Sequence, residues 1–245
     1  MKQKPIVTFI LGTRPEAIKL APVIKVFQSC DLIETRIVLT GQHYEMINQV
    51  MEIFKIKANK NLNLMKNKQT LAHITSASLD GLSKEFKKFP PSMVLVQGDT
   101  STSFSGALAA FYSKIPVAHV EAGLRTNSLY DPFPEEANRR FISQIAALNF
   151  APTDLAESNL KREGVFGKIF NTGNTVIDSL LSVEKYCQRP NIEGLDLTAK
   201  KLVLVTIHRR ENWGENIKNI ANAIKKLSKD FKDLIFLLPM HKNLI

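Results

Sequence analysis

Two carboxylic acids follow consecutive apolar segments of the chain and could act together as an acid and a base. Asp99 lies just beyond the apolar segment 93–96, and Glu121 lies directly beyond the next one, 116–120. The carboxyl ends of parallel strands form one edge of a sheet, where open α/β sheets bind their ligands, so both side chains are expected there. Such a pair can remove and return a proton if its surroundings raise the pKa of at least one member.

Both segments also allow plainer interpretations. Asp99 precedes a helix predicted at 102–113 and could serve as its N-cap. His119, inside the second apolar segment, is more typical of a buried core histidine than of a catalytic one. The residue types alone leave these alternatives open.

Cationic side chains follow the first apolar segment, Ile6–Leu11, at the predicted start of a helix. Gly12 and Arg14 come directly after the segment, and Lys19 follows about one helical turn later. A helix N-terminus with a glycine and an arginine beside it can bind an anion. An ordinary glycine turn with a surface arginine explains the same pattern equally well.

Other ionisable residues lie at the predicted ends of elements. Glu135 and Glu136 begin a predicted helix, where acids complement the helix dipole even without a catalytic role. Basic side chains follow two later strands, at 202–207 and 234–238, and could bind phosphate or protonate a leaving group. These are His208, Arg209 and Arg210 after the first of the two strands, and His241 after the second.

Several common types of site are absent from the sequence. It has no GxGxxG or GxxxxGK[ST] motif, no serine elbow and no metal-ligand cluster, so no nicotinamide fingerprint, P-loop or metal is expected. Cys30 and Cys187 have no CxxC partner, which favours a reducing, cytoplasmic environment. No apolar stretch approaches the ~20 residues of a membrane span.

The formal net charge of +10 is compatible with an anionic partner. The basic residues are scattered over predicted polar helix faces, without aromatic interleaving or an arginine-rich run. Solvated helix faces explain this pattern better than a nucleic-acid surface does, so neither nucleic acid nor a membrane is expected as a partner.

Short apolar segments alternate with longer amphipathic ones, which predicts βαβ units and parallel sheets. A change of composition around 172–192 divides the chain into a Rossmann-like domain at 1–172, with the carboxylates, and a partial second domain at 173–245. A lone β-α-β unit leaves a sheet edge uncovered, so a truncated second domain is expected. The predicted strands are 6–11, 35–39, 93–96, 116–120, 148–151, 202–207 and 234–238, and the predicted helices are 15–27, 43–54, 69–88, 102–113, 135–146, 153–163, 176–186 and 216–229.

Eight short motifs occur in a fixed order over the whole chain. Together they resemble the non-hydrolysing UDP-N-acetylglucosamine 2-epimerases. The resemblance implies a GT-B-like pair of Rossmann-type doubly wound domains, with the active site in the cleft between them and the second domain incomplete. The motifs are GTRPE at 12–16, TGQH at 40–43, QGDT at 97–100, HVEAGLRT at 119–126, PFPEEANRR at 132–140, TGN at 172–174, HRREN at 208–212 and PMHKN at 239–243.

The resemblance also implies a reaction. It is the reversible conversion of UDP-N-acetylglucosamine to UDP-N-acetylmannosamine, for surface polysaccharide synthesis, without an exogenous cofactor. The C2 proton is removed while UDP leaves C1, which gives 2-acetamidoglucal, and UDP adds back after C2 is reprotonated on the other face. Because the C2 hydrogen is poorly acidic, stabilisation of the departing anion carries much of the barrier lowering.

Site residues carry over by motif. The resemblance makes Asp99, Glu121 and Glu135 the acid–base candidates and gives His208 the task of assisting UDP departure. Substrate binding falls to Arg14, Lys19, Arg209 and Arg210, while Gln42, His43 and His241 could line a regulatory site for UDP-N-acetylglucosamine.

Three alternatives to an epimerase remain open from the sequence. They are a GT-B glycosyltransferase, a hydrolysing relative that releases UDP and free N-acetylmannosamine, and a non-catalytic module that binds nucleotide sugars. The resemblance further implies a homodimer for the full-length protein. The sequence stops soon after the PMHKN motif, so impaired UDP binding and an inactive fragment are expectations as well.

Overall fold

The computed structural model describes residues 4–41, 44–64, 69–186, 192, 200–207 and 214–239. Contacts between residues divide the chain into two compact units, 1–187 and 188–245. The sequence predicts a domain boundary after residue 172, which is 15 residues before this division. A helix at Thr175–Glu184 lies between the two positions. By its contacts this helix belongs to the first unit, because it packs against the first helix of that unit.

The first unit contains a seven-stranded sheet in the order β3-β2-β1-β4-β5-β6-β7, with every neighbouring pair parallel. This order begins with the 3-2-1-4-5-6 arrangement of doubly wound nucleotide-binding folds. The two strands that the sequence did not predict, β3 and β7, lie at the two edges of the sheet. The strands are β1 (Ile6–Leu11), β2 (Glu34–Leu39), β3 (Lys60–Asn61), β4 (Met93–Gln97), β5 (Val117–Val120), β6 (Leu148–Ala151) and β7 (Lys168–Asn171).

Helices cover both faces of this sheet, and each face has its own core. Along β1, Phe9 and Leu11 pack into one core with α1 and α2, while Ile10 packs into the other with α3, α4 and α5. The alternation explains why the central strands are largely apolar on both faces. The helices are α1 (Arg14–Gln28), α2 (Tyr44–Ile53), α3 (Leu71–Lys88), α4 (Ser101–Tyr112), α5 (Glu135–Ile145), α6 (Asp154–Arg162) and α7 (Thr175–Glu184).

The second unit contains one described β-α-β motif. Its strands β8 (Lys201–Leu204) and β9 (Leu234–Leu237) pair in parallel, and α8 (Glu215–Asp230) connects them. None of its described residues is fully buried, and Leu204 is 62% exposed although it lies within a strand. The described part of this unit therefore lacks the two covered faces of the first sheet.

The predicted α/β architecture with parallel sheets is confirmed in both units. Every strand and helix predicted within the described residues is present, with ends that differ by a few residues at most. Among those residues, no helix is long and apolar enough to cross a membrane.

Candidate active site

The two predicted acids follow adjacent strands of the first sheet. β4 and β5 pair in parallel with Gln97 opposite Val120, so Asp99 and Glu121 both extend from the carboxyl edge of the sheet. The charges of Glu121 and Glu135 both act to raise the pKa of Asp99. Asp99 therefore lies within electrostatic reach of both other acids that were predicted from separate parts of the sequence.

The carboxylate of Glu121 is surrounded by hydrogen-bond donors. Lys19 Nζ lies 2.7 Å from Oε1 and 2.6 Å from Oε2, which makes a close ion pair between α1 and the end of β5. Gln97 Nε2 also donates to Oε2, and Asn174 Nδ2 donates to Oε1 at 3.2 Å. Both oxygens of Glu121 are thus occupied by donors from three elements of the unit.

Glu121 is also held by its backbone. Its φ of +63° lies in the left-handed region, which residues other than glycine seldom adopt. Such a conformation costs on the order of 1 kcal/mol or more and persists where the surrounding contacts impose it. The bend turns the chain out of β5 at the residue whose carboxylate meets Lys19.

Asp99 has a different environment, with one oxygen left available. Arg139 donates to Oδ2, while Oδ1 has no hydrogen-bond partner within the described residues. Burial raises the pKa of Asp99 above its usual range, and the Arg139 guanidinium opposes this shift. Asp99 therefore combines a raised pKa with an oxygen that has no hydrogen-bond partner among the described residues, and both features favour proton transfer.

The N-cap of α4 is Thr100 rather than Asp99. Thr100 Oγ1 accepts a hydrogen bond from the Ser103 amide at 3.0 Å, which is the contact that an N-cap makes. Asn138 Nδ2 fixes the Asp99 backbone by donating to its carbonyl oxygen at 2.8 Å. This resolves the alternative in which Asp99 only caps the helix.

His119 connects the two acid-bearing strand ends and is a structural residue. Its side chain is fully buried, and Nε2 lies 2.7 Å from the carbonyl oxygen of Gly98, the residue before Asp99. Burial lowers the pKa of His119 to about 4, so the ring is neutral at physiological pH and Nε2–H donates to Gly98. The interpretation as a buried core histidine is the one that the structure supports.

The start of α1 is closed by an acid of its own. Glu16 is 1% exposed, and its Oε2 accepts hydrogen bonds from the amides of Gly12 at 2.5 Å and Thr13 at 3.0 Å. Burial raises the pKa of Glu16. Because these amides already have a carboxylate partner, the simple helix-terminus anion site is not available in this form, although the Arg14 side chain is exposed.

Glu16 also joins the first site loop to the second. Its Oε1 accepts a hydrogen bond from Thr100 Oγ1, directly after Asp99. Gly12 permits the close approach, since a Cβ there would lie 2.1 Å from Thr102 Oγ1. The loops after β1 and β4 are therefore packed together at the carboxyl edge.

The two acids at the start of α5 have separate roles. Glu136 is fully buried and forms ion pairs with Arg139 and Arg140, so it belongs to the framework. Glu135 is half-buried and forms no side-chain hydrogen bond or ion pair with other described residues, although its charge acts on Asp99. Of the two, Glu135 is the one that can act on a ligand.

A profile of the UDP-N-acetylglucosamine 2-epimerase family matches residues 26–244. The chain belongs to the UDP-N-acetylglucosamine 2-epimerase family. The member from Bacillus subtilis (strain 168) is 45% identical over 99% of this chain and 64% of its own length. The member from Neisseria meningitidis serogroup A is 46% identical, over 96% of this chain and 65% of its own length.

A solved structure gives the same result for the fold. The UDP-GlcNAc 2-epimerase from Neisseria meningitidis, determined bound to UDP-GlcNAc, matches with a TM-score of 0.86 and 44% identity, over 97% of this chain and 66% of that one. This match confirms the predicted GT-B-like fold class. The chain spans slightly less than two thirds of the length of these epimerases.

In this epimerase-family chain, the described residues contain five of the eleven predicted site residues. Asp99, Glu121, Glu135 and Lys19 are brought together, and Arg14 lies exposed at the start of α1 near Lys19. The other predictions fall outside the described residues. They are the catalytic candidate His208, the phosphate ligands Arg209 and Arg210, and the regulatory candidates Gln42, His43 and His241.

Four residues of the site in this family member received no individual role from the sequence: Glu16, Gln97, Arg139 and Asn174. Gln97 and Asn174 lie inside the QGDT and TGN motifs, so their places in the motifs were the available signal. Glu16, three residues after the N-cap Thr13, has the spacing of an acid that bonds back to the N-cap amide. No local pattern identifies Arg139 as the partner of Asp99, since 40 residues separate the two.

Within the described parts of the chain, no group of three His, Cys, Asp or Glu side chains could hold a metal ion.

Proposed function

We propose that this chain carries the acid–base residues of an enzyme that interconverts UDP-N-acetylglucosamine and UDP-N-acetylmannosamine. The observation that carries the proposal is the meeting of Asp99, Glu121 and Glu135 at one sheet edge, with the pKa of Asp99 raised by burial. Membership of the epimerase family and the likeness to a relative solved with UDP-GlcNAc supply the substrate. The reaction needs no exogenous cofactor.

Asp99 and Glu135 are the residues that exchange protons with the sugar. Epimerisation at C2 removes a proton from one face and adds one to the other, so it needs an acceptor and a donor that are separate groups. Asp99 has a free oxygen and a raised pKa, and Glu135 has no competing partner among the described residues. The forward half-reaction moves the C2 proton to a carboxylate, breaks the C1–O bond and forms the C1–C2 double bond as UDP leaves with the bonding electrons.

Glu121 and Lys19 act as a fixed ion pair rather than as a proton carrier. Before Glu121 could accept a substrate proton, donors from Lys19, Gln97 or Asn174 would have to be displaced from its oxygens. Lys19 is 24% exposed in its side chain and can therefore also face an anionic ligand. Its ammonium stabilises the negative charge that develops as UDP departs.

The remaining roles come from the family resemblance. His208 assists departure of UDP, Arg14, Arg209 and Arg210 bind the diphosphate, and Gln42, His43 and His241 line a regulatory site. A cytoplasmic location and a homodimer for the whole protein stay predictions, and light scattering of the purified chain measures the second.

Proton NMR of the chain with UDP-N-acetylglucosamine in heavy water tests the proposal. Loss of the C2 proton signal, together with a manno-configured sugar nucleotide, would support the proposal and would show that the expectation of an inactive fragment is wrong. Free N-acetylmannosamine would indicate a hydrolysing relative, and sugar transfer to an acceptor with C2 unchanged would indicate a glycosyltransferase. Line broadening without exchange would indicate a binding module.

A further inference from the structure

Helix α7 and its N-cap contact Glu121 and the residue that precedes Lys19. At its N-terminus, Asn174 Nδ2 donates to Glu121 Oε1 at 3.2 Å. One turn further along, Ser179 Oγ donates to the carbonyl oxygen of Ile18 at 2.5 Å, and Ile18 directly precedes Lys19. Two side chains of one helix thus reach the two elements that form the pair.

The contact of Ser179 with Ile18 has a cause in the sequence. In an α-helix the carbonyl of residue 18 accepts a hydrogen bond from the amide of residue 22, but residue 22 is proline, which has no N–H. A buried carbonyl without a donor costs stability, and the Ser179 hydroxyl supplies the missing donor. Ser179 is 2% exposed and is the only fully buried residue of α7.

Asn174 performs two tasks with one side chain. Its Oδ1 accepts a hydrogen bond from the Val176 amide at 3.1 Å and so caps α7, while Nδ2 is left to donate to Glu121. Serine and aspartate cap helices about as well as asparagine does, but neither has an amide donor. A cap alone would therefore not require asparagine at this position.

The rest of α7 gives it little anchorage of its own. Its apolar residues are largely exposed, with Ile177 at 59% and Leu180 at 69%. The place of the helix in the first unit thus depends heavily on contacts with α1 and Glu121. The same contacts also restrict the positions of Lys19 and Glu121.

From these contacts we infer that Asn174 is a positioning residue of the active site, which together with Ser179 holds the Lys19–Glu121 pair in its catalytic geometry. The expected effect on catalysis rests on the proposed function, whereas the positioning of Glu121 by Asn174 rests on the hydrogen bonds alone. Asn174 orients the Glu121 carboxylate from the side opposite to Gln97, since the two amides donate to different oxygens.

Three variants of Asn174 separate positioning from capping. Asn174→Ser keeps the cap and removes the donor to Glu121, Asn174→Asp keeps the cap and places a carboxylate against Glu121, and Asn174→Ala removes both. The charged groups on the elements that meet here are Lys19 on α1, Asp99 after β4 and Asp178 in the first turn of α7. All three are unchanged in the variants, so a difference between the serine and aspartate variants reports the added charge.

The first readout is the rate of C2 proton exchange against pH, with thermal unfolding measured in parallel. We expect Asn174→Ser to lose about 10-fold in kcat, because a misplaced catalytic group is costly, and to keep its Tm within about 2 °C. Asn174→Asp should lose more, and the acid side of its pH–rate profile should move to higher pH. Serine and aspartate variants with unchanged kcat and pH profile would overturn the inference.

The second readout does not depend on turnover. The ¹³Cδ carboxyl signal of Glu121, identified by its loss in Glu121→Gln, reports the surroundings of this group directly. We expect the signal to shift in both Asn174→Ser and Asn174→Asp, and an unchanged signal in both would contradict the inference. If the unaltered chain catalyses no exchange, the proposed function fails for this chain, and the ¹³C signal still decides whether Asn174 positions Glu121.

Discussion

Asp99 and Glu121 extend from neighbouring strands of one sheet, yet the hydrogen-bond partners of the two carboxylates differ. Lys19, Gln97 and Asn174 occupy both oxygens of Glu121. Asp99 is paired on one oxygen only, and burial raises its pKa. Residue type and strand-end position are therefore enough to predict that the two acids lie together, whereas the elements packed around each acid determine its hydrogen bonds and its pKa.

The largest expected effect separates activity from stability at Asp99. Asp99→Asn removes the proposed proton carrier and should lower kcat for C2 exchange by about 10²–10⁴-fold. In the folded protein the pKa of Asp99 is above its usual 3.8, so ionisation of Asp99 lowers the free energy of unfolding as pH rises from about 3.8 through the raised value. Asparagine does not ionise, and at pH 7 the variant should be at least as stable as the parent in urea unfolding.

Glu121→Gln is the matched change on the other strand, and it should damage both properties. In this variant Lys19 loses its anionic partner, and Gln97 faces an amide group that can only compete with it as a donor. The free energy of unfolding should therefore fall by on the order of 1 kcal/mol. The loss is no larger because Lys19 is partly exposed to solvent. Exchange activity should also fall steeply. Equal stability changes in Asp99→Asn and Glu121→Gln would remove the distinction between the two regions.

His119, which lies between the two regions, predicts a pH dependence of stability. Its pKa is lowered from 6.5 to about 4 in the folded protein, so the unfolded chain binds a proton first as pH falls. The free energy of unfolding should therefore decrease between pH 6.5 and about 4, by about 3 kcal/mol in total. His119→Gln keeps a donor for the Gly98 carbonyl without titrating, and its unfolding curve should be flatter over this window.

The smallest expected effect concerns the support behind Glu121. Ser179→Ala leaves the Ile18 carbonyl without a donor and should lower the free energy of unfolding by about 1 kcal/mol. In a Pro22→Ala background, residue 22 has an amide that can bond to Ile18, so the same substitution should cost less. A double-mutant cycle by urea unfolding measures the coupling, and additive effects would argue against this account of the α1–α7 contact.

Most of the fold could be predicted because the central strands and their helices have strong periodic patterns. Two strands at the edges of the sheet were not predicted. The first, β3, has only two residues. The second, β7, is mostly exposed and therefore shows no apolar pattern. The boundary predicted after residue 172 and the contact-based division after residue 187 differ because composition does not show that Ser179 bonds to α1.

The proximity of the predicted acids could be read from the sequence, whereas the different surroundings of each acid could not. Strand-end positions placed Asp99 and Glu121 together. Nothing local distinguishes Glu135 from the adjacent Glu136, because burial of one and partial exposure of the other depend on how α5 packs. Likewise, the anion-site interpretation of the first loop could not anticipate that Glu16 would occupy the amides of Gly12 and Thr13.

A ¹³C NMR titration of the Asp99 carboxyl carbon, identified by its loss in Asp99→Asn, tests the central claim most directly. The account predicts a pKa above the usual 3.8, since burial outweighs the opposing Arg139. A pKa at or below 3.8 would contradict it, because Asp99 would then be held as an ionised partner of Arg139 and could not be the residue that carries the proton.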